Sequence, residues 1–293
     1  MNESTIDARM IWPQSSHESA VERFYSHGVN SETDIHRGFL NFGLWEPTTP
    51  DYVAAAENLV HRLGTMLGIA SEAHLLDVAC GMGSQDVYLQ RTFGPLEVDG
   101  VDVTWRHVER ARRRARDEAV DDRLRFHHGT ATDLPFPAET FTHVMSIEGP
   151  EHFDTRRRFF EEAMRVLRPG GVMCLADYTV SSKPRNALER TVFGVVLRMW
   201  KVPRENIWDA DEYRRQLGGA GFHDVRLDHV GALTFPGYYR EQCRPAFRQE
   251  MRRLQGSLIE RLGHLIDVVT NRAYEMGLID YVLVRAVKPV TDT

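Results

Sequence analysis

Residues 75–83, LLDVACGMG, constrain this chain more than any other segment. The apolar run 74–78 passes through a glycine bend into a helix-like stretch, 85–92. An apolar run that short reads as a strand covered on both faces. Glycine at the bend lets the backbone approach a ligand closely and accepts positive φ. By itself, Gly-x-Gly also fits an ordinary strand-to-helix turn.

The pattern that follows supplies the context. Strand-like segments at 97–103, 124–128, 141–147 and 172–178 alternate with helix-like segments at 105–119 and 157–167. Such alternation implies an α/β fold, a Rossmann-like doubly wound and mostly parallel sheet. Arg168-Pro169-Gly170-Gly171 reads as a turn leading into the fifth strand. Upstream, 18–25 is expected as a short helix and 38–45 as an aromatic-rich loop. The segment 52–67 is expected as a helix with Ala56, Leu59, Val60, Leu63 and Leu67 on one side. Downstream, 186–200 reads as helix, Asp209 caps a helix ending near Leu217 before Gly218-Gly219, and 225–230 and 281–288 read as strands. Residues 238–274 are mostly helical. Three regions result: an N-terminal helical lid (1–67), a cofactor-binding core (68–182), and the rest of the sheet (183–293) with helical cap insertions at 183–207 and 234–277. Those insertions fall near the C-terminal edge of the sheet, where open parallel sheets bind ligands.

Composition narrows the function. A chain of 293 residues suits one large domain, and 42% hydrophobic with 27% charged residues is ordinary for a globular protein. The net charge of -6 disfavours nonspecific contact with nucleic acid or an anionic membrane. Cys80, Cys174 and Cys243 are odd in number and widely spaced, with no CxxC, so neither a disulfide framework nor a zinc site is expected. A reducing, cytoplasmic setting fits. MNESTIDARMIW lacks the basic-then-apolar order of a secretory signal, and no run approaches the roughly 18 apolar residues of a membrane span. His27, His36, His127, His128 and His143 have no metal-like grouping, so no metal is expected.

Asp102 closes the second strand about 20 residues after the glycines, where an acid accepts hydrogen bonds from ribose hydroxyls. Asp86 stands where the third glycine of a dinucleotide fingerprint would fall, and no phosphate loop of the GxxxxGK[ST] type occurs. An adenosine with a compact charged tail fits this turn better than a dinucleotide or ATP.

LLDVACGMG, GVDVTWRHVERAR, ATDLPFPAETFTHV and RVLRPGGVMCLADY, in this order and spacing, resemble class I S-adenosylmethionine-dependent methyltransferases. The likeness is closest to the ubiquinone/menaquinone-type and natural-product small-molecule branch, over roughly residues 20 to 182. It implies S-adenosyl-L-methionine as cofactor. Asp77, Ala79, Gly81 and Gly83 would surround its methionine part, Asp102 would hold the ribose, and Thr130 and Ala131 would flank the adenine. Val103, Glu148 and Tyr25 would complete the contacts. The family usually has glycine where Ala79 stands, a mild change if φ is negative there. It usually has an acid where Thr130 stands. The threonine hydroxyl, or Asp133 reaching over, would then serve the adenine amino group. NFGLWEP and the pair Phe24-Tyr25 resemble aromatic segments preceding the core in this branch. They read equally as a hydrophobic clamp.

The reaction would be in-line displacement at a sulfonium methyl. Alignment alone supplies roughly 7–11 kcal/mol, and a general base adds about 10²–10⁴-fold. His152, in the SIEGPEHF segment after the fourth strand, resembles the base of natural-product O-methyltransferases. The same EHF triplet resembles the cyclopropane-synthase group, where Glu148 or Glu151 would steady a carbocation or take its proton. The favoured acceptor is a hydroxyl on an apolar or amphipathic secondary metabolite. The alternative is C-methylation of an alkene or isoprenoid, including a prenyl diphosphate. RNA or protein methylation is disfavoured by the acidic chain and the missing Asn-Pro-Pro-Tyr-type motif, and a binding protein without catalysis by intact motifs. A small-molecule partner and no nucleic acid are expected, with self-association open. Arg240, Arg244, Arg248 and Arg252 recur every four residues, as an anion clamp or a solvated stripe, with Pro245 interrupting the helix. Phe193, Trp200, Trp208, Phe235, Tyr238 and Tyr239 would line an acceptor pocket or form the insertion's own core.

Overall fold

The computed structural model describes residues 15–26, 36–70, 72–94 and 97–290. The extreme N-terminus and His27 lie outside them. Seven strands form one sheet in the order β3-β2-β1-β4-β5-β7-β6. They are β1 (His74–Val78), β2 (Glu97–Asp102), β3 (Leu124–His128), β4 (Phe141–Ile147), β5 (Leu167–Val180), β6 (His223–His229) and β7 (Ile279–Val287). β1 to β5 run parallel, while β7 pairs antiparallel with β5 and β6. The α/β, Rossmann-like fold expected from the alternation is the one observed. Strand order reverses between β1 and β4, and the crevice at their carboxyl ends is where such sheets take ligands.

The helices are α1 (Ser16–Tyr25), α2 (Tyr52–Leu67), α3 (Ser84–Phe93), α4 (Trp105–Asp117), α5 (Arg156–Val166), α6 (Ala187–Met199), α7 (Ala210–Gly219), α8 (Phe235–Gln242), α9 (Pro245–Gln255) and α10 (Ser257–Glu275). Side chains that accept backbone N–H groups set several starts: Asp51 for α2, Asn186 for α6 and Asp209 for α7. α2 buries Ala56, Leu59, Val60, Leu63 and Leu67, the stripe read from its periodicity. One core lies on the α2–α3–α4 face of the sheet, and a second lies around Phe159, Phe160 and Tyr213 on the other. α6, α8, α9 and α10 stack beyond the sheet's carboxyl edge as a cap. No described helix is long and apolar enough to cross a membrane.

Three local expectations change. Arg168-Pro169-Gly170-Gly171 is not a turn before β5 but a bulge within it. Phe141 pairs with Leu167 and His143 with Val172, so three extra residues bow out opposite β4. Backbone bonds between Gly170–Gly171 and Lys288 hold the bow to the end of β7. α7 runs through Gly218 and Gly219, and the chain reverses at Gly221 (φ 100°) instead. Pro245 begins α9 instead of interrupting a helix, because the first turn needs no N–H there.

Candidate active site

Two cavities meet at the carboxyl edge of the sheet. The first lies over the ends of β1, β2 and β4 and is roofed by α1. Ala79 and Gly81 from the loop after β1, Asp102 at the end of β2 with Val103 beyond it, and Thr130 and Ala131 after β3 line it. Tyr25 of α1 and Glu148 and His152 after β4 close the ring. Nine of the residues singled out in the sequence are thus brought to one wall.

Three are not. Asp77 points away beneath the loop, where its Oδ2 accepts the Gln85 amide at 2.5 Å and its carboxyl abuts buried Asp86. Burial pushes Asp77 up to about 7 against the bond from Gln85. Asp86 is raised too, by burial and then by its acidic neighbour. Gly83 faces α4: a Cβ there would stand 2.9 Å from that of Ala111. Its φ of 75° and this close approach explain the glycine without a ligand. Glu151 is buried behind His152 among Arg156 and Asp177, away from both cavities.

Ala79 corrects the expectation of a mild substitution. Its φ is +66°, a conformation that costs a residue with a Cβ about 1–2 kcal/mol. Two consecutive N–H groups, of Ala79 and Cys80, donate to Val101 O at 2.8 and 3.1 Å. This bond pair holds the loop against β2 in spite of the side chain.

Asp102 is poised to receive hydroxyls. Its Oδ2 accepts Gly81 N–H at 2.9 Å and its Oδ1 accepts Thr104 N–H at 2.7 Å. Each oxygen keeps a lone pair on the cavity wall. Burial opposes its charge, but His107 at 3.5 Å and the two backbone donors outweigh that and hold the carboxyl below its usual range. A fixed acceptor carboxylate beside backbone that Gly81 leaves open (φ 55°) fits an adenosine ribose and a short charged tail.

Sequence reasoning missed Glu18. It caps α1 in a reciprocal box with Ser15, and its Oε1 also receives the Thr130 hydroxyl. Glu18 lines the first cavity, so α1 brings a carboxylate to the place where the core has a threonine. The Ser-x-x-Glu spacing signals the cap, but its second partner lies 112 residues away. Asn206 was missed as well. Its side-chain N–H groups donate to the carbonyls of Pro150, Glu151 and Phe153, clamping the turn that carries His152. Buried Arg156 binds the Asn206 carbonyl and Asp177 below that turn.

His152 Nε2 lies 2.9 Å from the Tyr25 hydroxyl, and the His17 ring bonds the His152 carbonyl at 2.8 Å. Burial, then nearby His17, lowers His152 to about 3, so its ring is neutral near pH 7. Burial, then Glu151 and Glu148, raises Tyr25 well above its usual value, so it stays a phenol. With the His152 proton on Nδ1, the Tyr25 O–H donates to Nε2. Glu148 (φ 52°) accepts Phe42 N–H at 2.7 Å and the hydroxyls of Tyr281 and Tyr178 at 2.7 and 3.1 Å. Burial raises it to about 7 in spite of those bonds.

The second cavity, about 430 Å³, lies under α8, α9 and α10. It shares Tyr25, Gly38, Leu40 and Glu148 with the first. Phe42, Trp200, Tyr238 and Phe247 give it aromatic walls. Of the cap aromatics, Trp200 and Tyr238 face this space. Phe193 packs against the core, Phe235 packs on Tyr274, and Trp208 belongs to the opposite core. Within the arginine series, Arg244 pairs with Glu241, and Arg248 and Arg252 both pair with Glu260. His127 and His74 hold Asp99 at the far end of the sheet, and His128 bonds Val103 O.

A methyltransferase-domain family model matches residues 75–171. Erythromycin 3''-O-methyltransferase of Saccharopolyspora erythraea is 33% identical over 95% of this chain and 92% of its own. The 27-O-demethylrifamycin SV methyltransferase of Amycolatopsis mediterranei is 28% identical over 85% and 90%. Geranyl diphosphate C-methyltransferase from Streptomyces coelicolor shares the fold, with a TM-score of 0.74 at 19% identity over 95% of this chain and 100% of that one. The chain belongs to the class I S-adenosylmethionine-dependent methyltransferases of the small-molecule branch, an enzyme with S-adenosylmethionine as its cofactor.

Proposed function

We propose that the enzyme O-methylates a hydroxyl of an apolar or amphipathic secondary metabolite, with His152 as the proton acceptor and Tyr25 as the relay to it. The observation that carries this reading is the Tyr25–His152 hydrogen bond at the junction of the two cavities. Tyr25 lines both spaces, whereas His152 lines the first alone.

The cofactor, when bound, supplies an electrophilic methyl on a sulfonium. Asp102 would hold its ribose hydroxyls, Ala79 and Gly81 its amino-acid end, and Glu18 with Thr130 its adenine edge. The acceptor would enter beneath α8 to α10, with its apolar body against Phe42, Trp200 and Tyr238. Its hydroxyl would meet Tyr25 at the junction of the cavities, where the bound cofactor would supply the methyl group. The hydroxyl proton passes to the Tyr25 oxygen while the Tyr25 proton passes to His152 Nε2. The relatives named for erythromycin and rifamycin chemistry support an oxygen acceptor on a large metabolite. Glu148 is committed to three donors, which suits it to fixing the Phe42 loop against β5 and β7 more than to serving a carbocation. The same bonds weaken the C-methylation reading.

The test is incubation of the enzyme with methyl-labelled cofactor and an extract of the source organism, followed by mass spectrometry and NMR of labelled product. An O–CH₃ signal is the expected result. A C–CH₃ signal overturns the hydroxyl assignment.

A further inference from the structure

The second cavity contains a carboxylate with no described partner. Asp267 sits on the inner face of α10, one turn beyond Gly263 and His264, and lines the cavity with them. The other acids on that wall are engaged: Glu148 by three donors, Glu260 by Arg248 and Arg252. Among the described residues no hydrogen bond or ion pair reaches Asp267.

The surroundings of Asp267 are aromatic. Burial, and then the Asp267 charge nearby, raises the Tyr238 hydroxyl. Tyr238 stacks on Phe42 at 4.1 Å and meets Tyr52 edge-on at 6.2 Å, and Trp200 and Phe247 extend the wall. His36 lies against Tyr52 at 3.8 Å and is held neutral by burial, down to about 4. The nearest guanidinium on the wall, Arg248, is bound to Glu260 at 2.5 Å. Burial accounts for the rise of Asp267 to about 7, and no described cation offsets it.

Ring faces carry negative electrostatic potential, and a carboxylate set among them adds to it. Such a wall repels anions, while its apolar area takes up an alkyl chain. It is complementary to an ammonium group, which neutralises the acid and faces the rings. The mouth adds apolar area, since Ile259 and Leu262 are each 53% exposed on the same helix.

We propose that the second cavity is built for an amphipathic acceptor bearing an amine, whose ammonium group pairs with Asp267 among the faces of Tyr238, Phe42 and Trp200. This deepens the acceptor-site reading above and rests on it. The ammonium is a recognition handle, apart from the hydroxyl that receives the methyl.

The test uses the full chain saturated with S-adenosylhomocysteine, with calorimetric titration at about pH 8, where an acid raised to about 7 is ionised and an alkylamine remains charged. The probes are N,N-dimethyldecylamine and 1-decanol, matched in chain length and used below micelle-forming concentrations. Wild-type protein binds the amine at least about tenfold more tightly than the alcohol. Asp267→Asn, which keeps shape and removes charge, abolishes that preference and leaves the affinity for 1-decanol unchanged, with a melting temperature at pH 8 no lower than that of wild type, since a buried charge is removed. Equal affinity of wild type for the two probes overturns the inference, as does an Asp267→Asn variant that retains the preference. Failure to bind S-adenosylhomocysteine at the outset would count instead against the methyltransferase reading of the first cavity.

Discussion

The Tyr25 hydroxyl and His152 Nε2 are hydrogen-bonded across 2.9 Å, joining the roof helix to the turn after β4. Burial drives both groups to their uncharged forms, and the proposed relay runs through this bond. In the relay, Tyr25→Phe removes the link and His152→Ala removes the terminus. Each lowers kcat by about 10²–10⁴-fold, the range of a general base. His152→Ala leaves S-adenosylhomocysteine affinity within about threefold. Single-turnover kinetics with labelled cofactor check this, and full turnover in His152→Ala would falsify the base assignment.

Asp102 holds two backbone N–H groups while keeping lone pairs for a ligand. Asp102→Asn weakens uptake of S-adenosylmethionine by about 10–100-fold, since bonds to a charged acceptor carry about 1.5–3 kcal/mol. Glu18→Gln produces a smaller loss of the same sign through the Thr130 contact. Isothermal titration reads both, and unchanged affinity in Asp102→Asn rejects the placement of the ribose.

At φ +66°, Ala79 is under local strain. Ala79→Gly relieves about 1–2 kcal/mol in the folded state and costs about 0.4–1 kcal/mol through a freer unfolded chain. The net is stabilisation by about 0.5–1 kcal/mol, or roughly 1–3 °C in Tm for a domain this large. Calorimetric melting measures it. A lowered Tm means that the Ala79 methyl packs usefully, for instance against Gly149, where a Cβ would lie 2.6 Å from it.

His36 is neutral in the folded protein down to about 4, against 6.5 when free, because burial disfavours its charge. Between those values the unfolded chain binds the extra proton and the folded one does not. Stability is therefore full above about 6.5 and falls as pH drops toward 4. His36→Phe removes this group's proton uptake. In urea unfolding, the stability difference between variant and wild type moves toward the variant on acidification, by up to about 1.4 kcal/mol per pH unit. A difference that stays flat from neutral pH to about 4.5 rejects the assignment.

The linear chain by itself determined the sheet, the cofactor class and most of the wall of the first cavity. These features are local or periodic: an apolar pentad before a glycine bend, an acid at the next strand's end, a histidine after the fourth strand. A short-range pattern also marked the cap of α7, because a capping side chain reaches only to its own first turn. Tertiary structure alone decided which members of a motif face the ligand. Asp77 and Gly83 lie within the glycine segment yet turn inward, one to Asp86 and the other to Ala111. Glu18, Asn206 and Asp267 draw their importance from partners or surroundings far along the chain, which only packing brings together. The positive φ of Ala79 was equally invisible, since a residue's name restricts its backbone without selecting among the conformations that neighbouring strands impose.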